Sequence, residues 1–504
     1  MKYLIFVLVA VCVSCACEPE RKLPAVEGVR FARYAEDVSV SSKCLGKTVG
    51  FNILLPSDYL TSKDKRYPVV YMLHGFGDNR KSWNDQYLRV ESKIEELEGN
   101  GLQSMIYVFP DGYNSYYSNT YDGSFKYMDM FIDELVPYID KVYRTIPDRQ
   151  HRAVVGYSMG GFGAMVLPMK NPDVFGISVP LSMSFRTDEQ YMTEGPQSGW
   201  DGQWGRIFGG IGLSGKDRLT DYYKSHCPFY QYVPENFETL SEVNLFLHCG
   251  DDEEQLLIAN DDLHVQLRDY GYEHEYRVAD GGHTSIYWRN SLDEVLPYIQ
   301  FVMEGGKDWN DDVAQGTMPD VSLNDDGMYV SDSAVSEVPA NVNVIYFAYR
   351  GLDRKDAVNI VTIIAGTGGK TDSFAVVPCD LTVRNIVEWV DYIETSYGFG
   401  TDVSKRSVVA VEDSGEEVYA KQTMFSSLYF DNASLPSDRI EVFSDKFYYI
   451  GQTDDGACYK GSGLLYKACK SSSADFQYRV RNGSGKRMTD MYSGVREMTS
   501  FINY

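Results

Sequence analysis

From Gly28 to Gly305 short apolar runs alternate with amphipathic helical patterns, and this alternation restricts the segment to an α/β fold with a mostly parallel sheet. "YPVVYMLHG", "SMIYVFPDG", "HRAVVGYS", "VNLFLHCGD" and "EHEYRVAD" read as strands, after a first strand "TVGFNILLP" closed by Pro56. Between them, Met128, Ile132, Leu135, Val136 and Ile139 recur at three- and four-residue intervals, as one face of a helix requires. "IANDDLHVQLRDYG" predicts a further helix with Gly271 at its C-terminal cap. Residues 306–327 are acidic, carry Gly, Pro and Asn, and lack periodicity, which marks a linker. Beyond it, residues 328–504 change grammar. "VNVIYFAYR", "NIVTIIAGT", "SFAVVPCDL", "RSVVAVED", "RIEVFSDKFYYIG" and "GLLYKACK" predict short strands, with one helix in "VRNIVEWVDYIETSYGFG", so a mostly-β, sandwich-like domain is expected there. "NDDG" at Asn324 and "TDDG" at Thr453 read as Asp-Gly turns, because an EF-hand's spacing and distal glutamate are absent. No period of repeat length is expected.

A chain of 504 residues exceeds what one hydrophobic core usually supports, in line with two domains. The 72 acidic against 47 basic side chains give a formal charge of −25, which repels phosphate backbones and disfavours nucleic acid as a partner. The start, "MKYLIFVLVAVCVSCACEPERK", has a basic residue, a short apolar run and small residues before a polar segment. Residues 1–17 therefore read as an export signal, with Cys17, or alternatively Cys15, as the lipid-modified cysteine of a bacterial lipoprotein. On that reading the chain is exported and touches a membrane only through the lipid anchor, or else is secreted. No later run suits a transmembrane helix. Of the remaining cysteines, Cys458 and Cys469 are placed to face each other across a hairpin; no His/Cys cluster has zinc spacing, and neither a metal nor another cofactor is called for.

Chemistry concentrates at Gly156-Tyr157-Ser158-Met159-Gly160, a G-x-S-x-G motif with a strand before it and a helix after it. The glycines suit a sharp turn whose flanks press on neighbouring chain, leaving Ser158 exposed at its tip. A serine hydroxyl needs a base to take its proton and a carboxylate to orient that base. The histidines after Ser158 are His226, His248, His264, His274 and His283; His248, His264 and His274 lie where packing explains them, whereas His283, in "VADGGHTSIYW", sits on a glycine-flanked loop past the last strand and is the best base by position. The orienting acid belongs on the turn "HCGDDEEQLL", which offers Asp251, Asp252, Glu253 and Glu254. Backbone N–H groups of Met159 and of Phe76, in "YMLHGFGDN", are the expected oxyanion donors, with His74 holding that loop.

"YMLHGFGDN", "VFPDGYNSYY", "FIDELVPYID", "GYSMGGFGAM", "LFLHCGDDEEQLL" and "GGHTSIYWRNSLDEVLPYIQF" together resemble the esterase D and feruloyl esterase group of α/β hydrolases, over roughly Val29 to Met303. The resemblance implies Ser158 as nucleophile, His283 as base and the Phe76 and Met159 N–H groups as the oxyanion hole. The group carries aspartate at the position of Glu253, so Glu253 is the first choice of acid and Asp252 the second. It implies hydrolysis of carboxylic esters without a cofactor, here of feruloyl or acetyl groups on plant polysaccharide fragments. "SGWDGQWGRIFGG" falls where such folds place a variable cap, making Trp200 and Trp204 candidates for stacking on substrate. The alternatives are acyl transfer to a sugar acceptor through the same triad, or a non-catalytic binding protein on a hydrolase fold. For residues 328–504 a spacer or interaction module stands against a carbohydrate-binding one.

Overall fold

A computed structural model describes residues 33–307 and most of 321–502, leaving out short stretches within 332–338, 368–372, 455–457 and 482–487 and a few single positions. The leader with Cys15 and Cys17, and most of the linker, lie outside the described residues. Among the described residues no helix is long and apolar enough to cross a membrane. The chain divides into two compact units, residues 1–274 with 281–308, and residues 275–280 with 309–504.

The first unit carries β1 (Tyr34–Ser42), β2 (Lys47–Leu54), β3 (Val69–Leu73), β4 (Ile106–Pro110), β5 (Arg152–Tyr157), β6 (Ile177–Leu181) and β7 (Asn244–Gly250). They lie in the order β1-β2-β4-β3-β5-β6-β7; β1 and β2 run antiparallel to their neighbours and the rest are parallel. Every residue of β3, β4, β5 and β6 is buried, which is why these strands are continuous apolar runs rather than alternating ones. In the helix after β4, a π-helical stretch over Met130–Leu135 inserts an extra residue per turn, so Met130 and Phe131 are buried where the periodicity had placed Ile132. Gly271 ends the helix Glu254–Asp269 at φ +77°, as its capping position requires. Residues 182–243, between β6 and β7, hold a series of short helices rather than a simple crossover.

The second unit overturns the sandwich expectation. It contains β8 (Glu275–Ala279), β9 (Tyr329–Val330), β10 (Asn343–Tyr349), β11 (Phe374–Asp380), β12 (Arg406–Val411), β13 (Ser427–Asp431), β14 (Phe447–Thr453) and β15 (Asp475–Arg481). Their order is β9-β11-β10-β12-β13-β14-β15-β8, parallel throughout except for the two edge strands. Two segments expected as strands are helical: "NIVTIIAGT" lies in the helix Arg354–Thr367, and "GLLYKACK" in the helix Tyr459–Ser472. In the first, Ile360, Val361, Ile363 and Ile364 pack into a core with Phe347, Val409, Tyr429 and Val495, and this burial outweighs the strand preference of β-branched residues. The second helix also corrects the hairpin pairing of Cys458 and Cys469. Eleven positions apart along one helix, their backbones are separated by about 16 Å, and both are free thiols. The helix Ile386–Tyr397 is as expected, opened by an Asn385/Glu388 capping box and closed by Gly398 at φ +71°.

Candidate active site

The turn after β5 is tight because its glycines leave no space for anything larger. A Cβ on Gly156 would come within 2.1 Å of the Gly160 carbonyl oxygen, and one on Gly160 within 2.2 Å of the Leu73 carbonyl oxygen. Ser158 itself takes φ +58° and ψ −119°, a conformation L-residues adopt rarely, and it is pinned by Ser158 N–H donating to Leu181 O at 3.0 Å and Ser184 N–H donating to Ser158 O at 3.0 Å. Its hydroxyl lies 2.9 Å from His283 Nε2. His283 Nδ1 lies 2.7 Å from Glu253 Oε2.

Glu253 is buried, and a carboxylate out of water must be satisfied by donors. Besides the imidazole it accepts Gly250 N–H at 3.2 Å and the Ser182 hydroxyl. Asp252, the alternative acid, is exposed, while Asp251 is committed elsewhere, accepting Gly281 N–H at 3.1 Å and so holding the loop that carries His283. Ser182 escaped the sequence reading, as did Trp288. The Trp288 indole donates to Ser182 Oγ at 2.8 Å, stacks on Tyr157 at 4.1 Å, and meets the His283 ring edge-on at 4.9 Å. A chain of contacts thus runs from Trp288 through Ser182, Glu253 and His283 to Ser158. Ser182 has φ +48°, a second strained residue beside the first, and no motif marks a lone serine at a strand end.

Met159 opens the twelve-residue helix Met159–Lys170, whose first N–H groups have no partner within the helix and whose dipole favours negative charge there. The loop bearing Phe76 is fixed from several sides. His74 Nδ1–H donates to Gly75 O at 2.8 Å, and its Nε2 accepts Gly112 N–H at 2.8 Å, which fixes one neutral tautomer. Burial also pushes the His74 pKa down. Tyr117 OH donates to His74 O, Gly77 N–H donates to Asn114 Oδ1, and a Cβ on Gly75 would meet the Tyr157 ring at 2.8 Å. The loop is preorganised rather than floppy.

The other histidines stay away from Ser158. His226 contacts Tyr222 O, His248 contacts Tyr287 OH, and His264 pairs with His274, all in buried positions. The tryptophan expectation is corrected. Trp200 and Trp204 are each only 1% exposed. Trp204 packs on Tyr116 at 4.6 Å and donates to Glu194 at 3.0 Å, while Trp200 lies under the Arg218 guanidinium at 4.3 Å. Their faces are spent on building the cap and leave nothing for a ligand to stack on.

The Esterase family model matches residues 42–299, from the end of β1 into the helix Ser285–Met303 that follows His283. This chain belongs to the esterase family. The matched part, with its mostly parallel sheet and serine turn after β5, has the α/β-hydrolase fold. Among curated proteins, the endo-1,4-beta-xylanase/feruloyl esterase of Xylanibacter ruminicola is 26% identical over 56% of this chain and 34% of its own length. Esterase Rv1288 of Mycobacterium tuberculosis is 36% identical over 25% of this chain and 26% of its own, and the acetyl esterase of Caldicellulosiruptor saccharolyticus is 23% identical over 53% and 98%. The chain spans about a third or less of the first of these relatives. A solved ferulic acid esterase is 29% identical over 53% of this chain and 98% of its own, with a TM-score of 0.46.

Proposed function

We propose that this esterase-family chain hydrolyses carboxylic esters through a serine acyl-enzyme, and that its substrates are feruloyl or acetyl esters on plant polysaccharide fragments. The observation that carries the reading is the unbroken relay from Glu253 through His283 to Ser158 at a strained strand-to-helix turn. Ser158 Oγ attacks the ester carbonyl as His283 Nε2 takes its proton, and the imidazolium that forms faces the Glu253 carboxylate. The tetrahedral oxyanion is met by the N–H groups of Met159 and Phe76, each such donor being worth roughly 3 kcal/mol in the transition state. His283 then protonates the departing alcohol, and water opens the acyl-enzyme by the same route in reverse. The acyl class and the polysaccharide link draw support from relatives whose names include feruloyl esterase, acetyl esterase and xylanase.

The test is a panel of p-nitrophenyl acetate, methyl ferulate and feruloylated xylo-oligosaccharide, with Ser158→Ala as control. Wild type should turn over at least one of them and the variant none; equal rates for both proteins would remove the assignment. Acyl transfer to added xylose in place of hydrolysis would shift the reading to a transferase. We also propose export with a lipid anchor on Cys17, from the apolar leader and its cysteines. An unmodified Cys17 in the mature protein's N-terminal peptide, read by mass spectrometry, would overturn that.

A further inference from the structure

We propose that the second unit is a silent copy of the first: a second hydrolase-type unit that has kept the nucleophile turn in its backbone and lost every group that made it react. The strand order is the first line of support. Reading β9 to β14 against β2 to β7, a strand antiparallel to its inner neighbour is followed in both units by a parallel series that starts with a reversed pair, β4-β3 in one and β11-β10 in the other.

The registers agree as well as the order. In the ladder beside the turn, Val69 pairs with Arg152 and Leu73 with Gly156; in the second unit Val344 pairs with Arg406 and Ala348 with Ala410. The next ladders match in the same way, Leu181 with His248 corresponding to Asp431 with Gly451. With Arg152 set on Arg406, "DRQHRAVV" falls on "DVSKRSVV". Asp148 and Asp402 each cap a one-turn 3-10 helix, and both arginines reach back twelve residues to an acid, Asp140 or Glu394. This internal repeat escaped the sequence reading because the intervening loops differ in length, so no fixed period exists.

The alignment places Glu412 on Ser158. Glu412 has φ +48°, against +58° at Ser158, and Asn432 has φ +45°, against +48° at Ser182. Ser434 N–H donates to Glu412 O at 2.7 Å, the counterpart of Ser184 donating to Ser158 O. Gly415, set on Gly161, has no space for a Cβ, which would lie 2.3 Å from the Ser434 carbonyl oxygen. A glutamate at positive φ is strained, and nothing in its own chemistry calls for that turn. Descent from a turn that once carried a nucleophile accounts for it.

What made the turn reactive is gone. A carboxylate stands where the hydroxyl was, and no histidine occurs anywhere in the chain after His283, so the unit has no imidazole to serve as base. Residues 182–243, which carry the cap in the first unit, correspond to residues 432–446 in the second, too short for one. All serine chemistry therefore belongs to Ser158.

A fluorophosphonate probe tests this on the full chain, since it forms an Oγ–P bond only where a serine is activated, with fluoride leaving as the P–F bond breaks. Wild type should gain one adduct per chain, on the peptide containing Ser158, and Ser158→Ala none. Glu412→Ser in the Ser158→Ala background should restore neither adduct nor turnover. An adduct on any peptide from residues 309–504, in either protein, would overturn the proposal. Because Glu412 is held in a left-handed turn without being used, Glu412→Gly should raise Tm by about 2 °C and leave kcat/KM unchanged. A fall in Tm, or a tenfold loss of activity, would show that the Glu412 side chain is in service and would equally overturn it.

Discussion

Glu253 decides between two acids one position apart, and the choice follows from which of them is buried against the imidazole. Its carboxylate reaches His283 Nδ1, whereas Asp252 lies in solvent. Glu253→Gln keeps the volume but replaces an acceptor and its charge, so kcat should fall by about 10³–10⁴ with KM little changed. Asp252→Asn should alter kcat less than about threefold, as surface substitutions away from such features do. Steady-state kinetics on p-nitrophenyl acetate compare the two, and the reverse ranking would reassign the acid. Ser158, His283 and the acidic turn were legible in the sequence because the chemistry demands those residue types at strand ends. Ser182 was not. It acts through a hydrogen bond to Glu253, and the fold, not any local pattern, brings residues 71 positions apart together.

At the scale of elements, the strands around the site were readable because full burial on both faces leaves an uninterrupted apolar run. The segment between β6 and β7 is a run of short helices whose tryptophans were misread, since sequence cannot tell an aromatic ring facing a ligand from one facing its neighbours. Trp204 lies among Tyr116, Tyr191 and Phe208 with its N–H bonded to Glu194. Trp204→Ala should therefore cost about 3–5 kcal/mol of stability. In urea titrations this appears as a lower midpoint, and an unchanged midpoint with a raised KM would return Trp204 to the substrate. The second unit was misjudged for a related reason. Runs of Val and Ile favour strands in isolation, but in Arg354–Thr367 they pack one helix into a core, and only the three-dimensional partners reveal it.

For the whole molecule, the distribution of histidine sets how it meets acid. Burial lowers the pKa of His226 to about 4 and of His274 to about 3, and lowers those of His74 and His264 as well. His274 Nδ1–H donates to Tyr272 O at 2.7 Å, so its Nε2 must accept from His264, and protonation would set two N–H groups face to face. These groups bind protons more readily unfolded, where they titrate near 6.5, than folded. Their contribution is complete above about pH 6.5 and declines as pH falls towards 4. All of them lie in the first unit. Between pH 7 and 4.5 the stability lost should come from residues 33–307, with limited proteolysis by an acid-tolerant protease cutting there first. Earlier cleavage within residues 321–502 would contradict this.

The glycine at 415 has one further consequence, for variation between close relatives of this chain. A side chain at Gly415 would collide with the Ser434 carbonyl oxygen whatever residue stands at 412, so the turn is enforced by backbone packing and not by what it presents. Selection on stability alone would hold Gly415 fixed while position 412 drifts towards residues that tolerate a left-handed backbone, glycine and asparagine first, whatever their chemistry. In the first unit, by contrast, stability and chemistry constrain Gly161 and Ser158 together, and neither is free to wander.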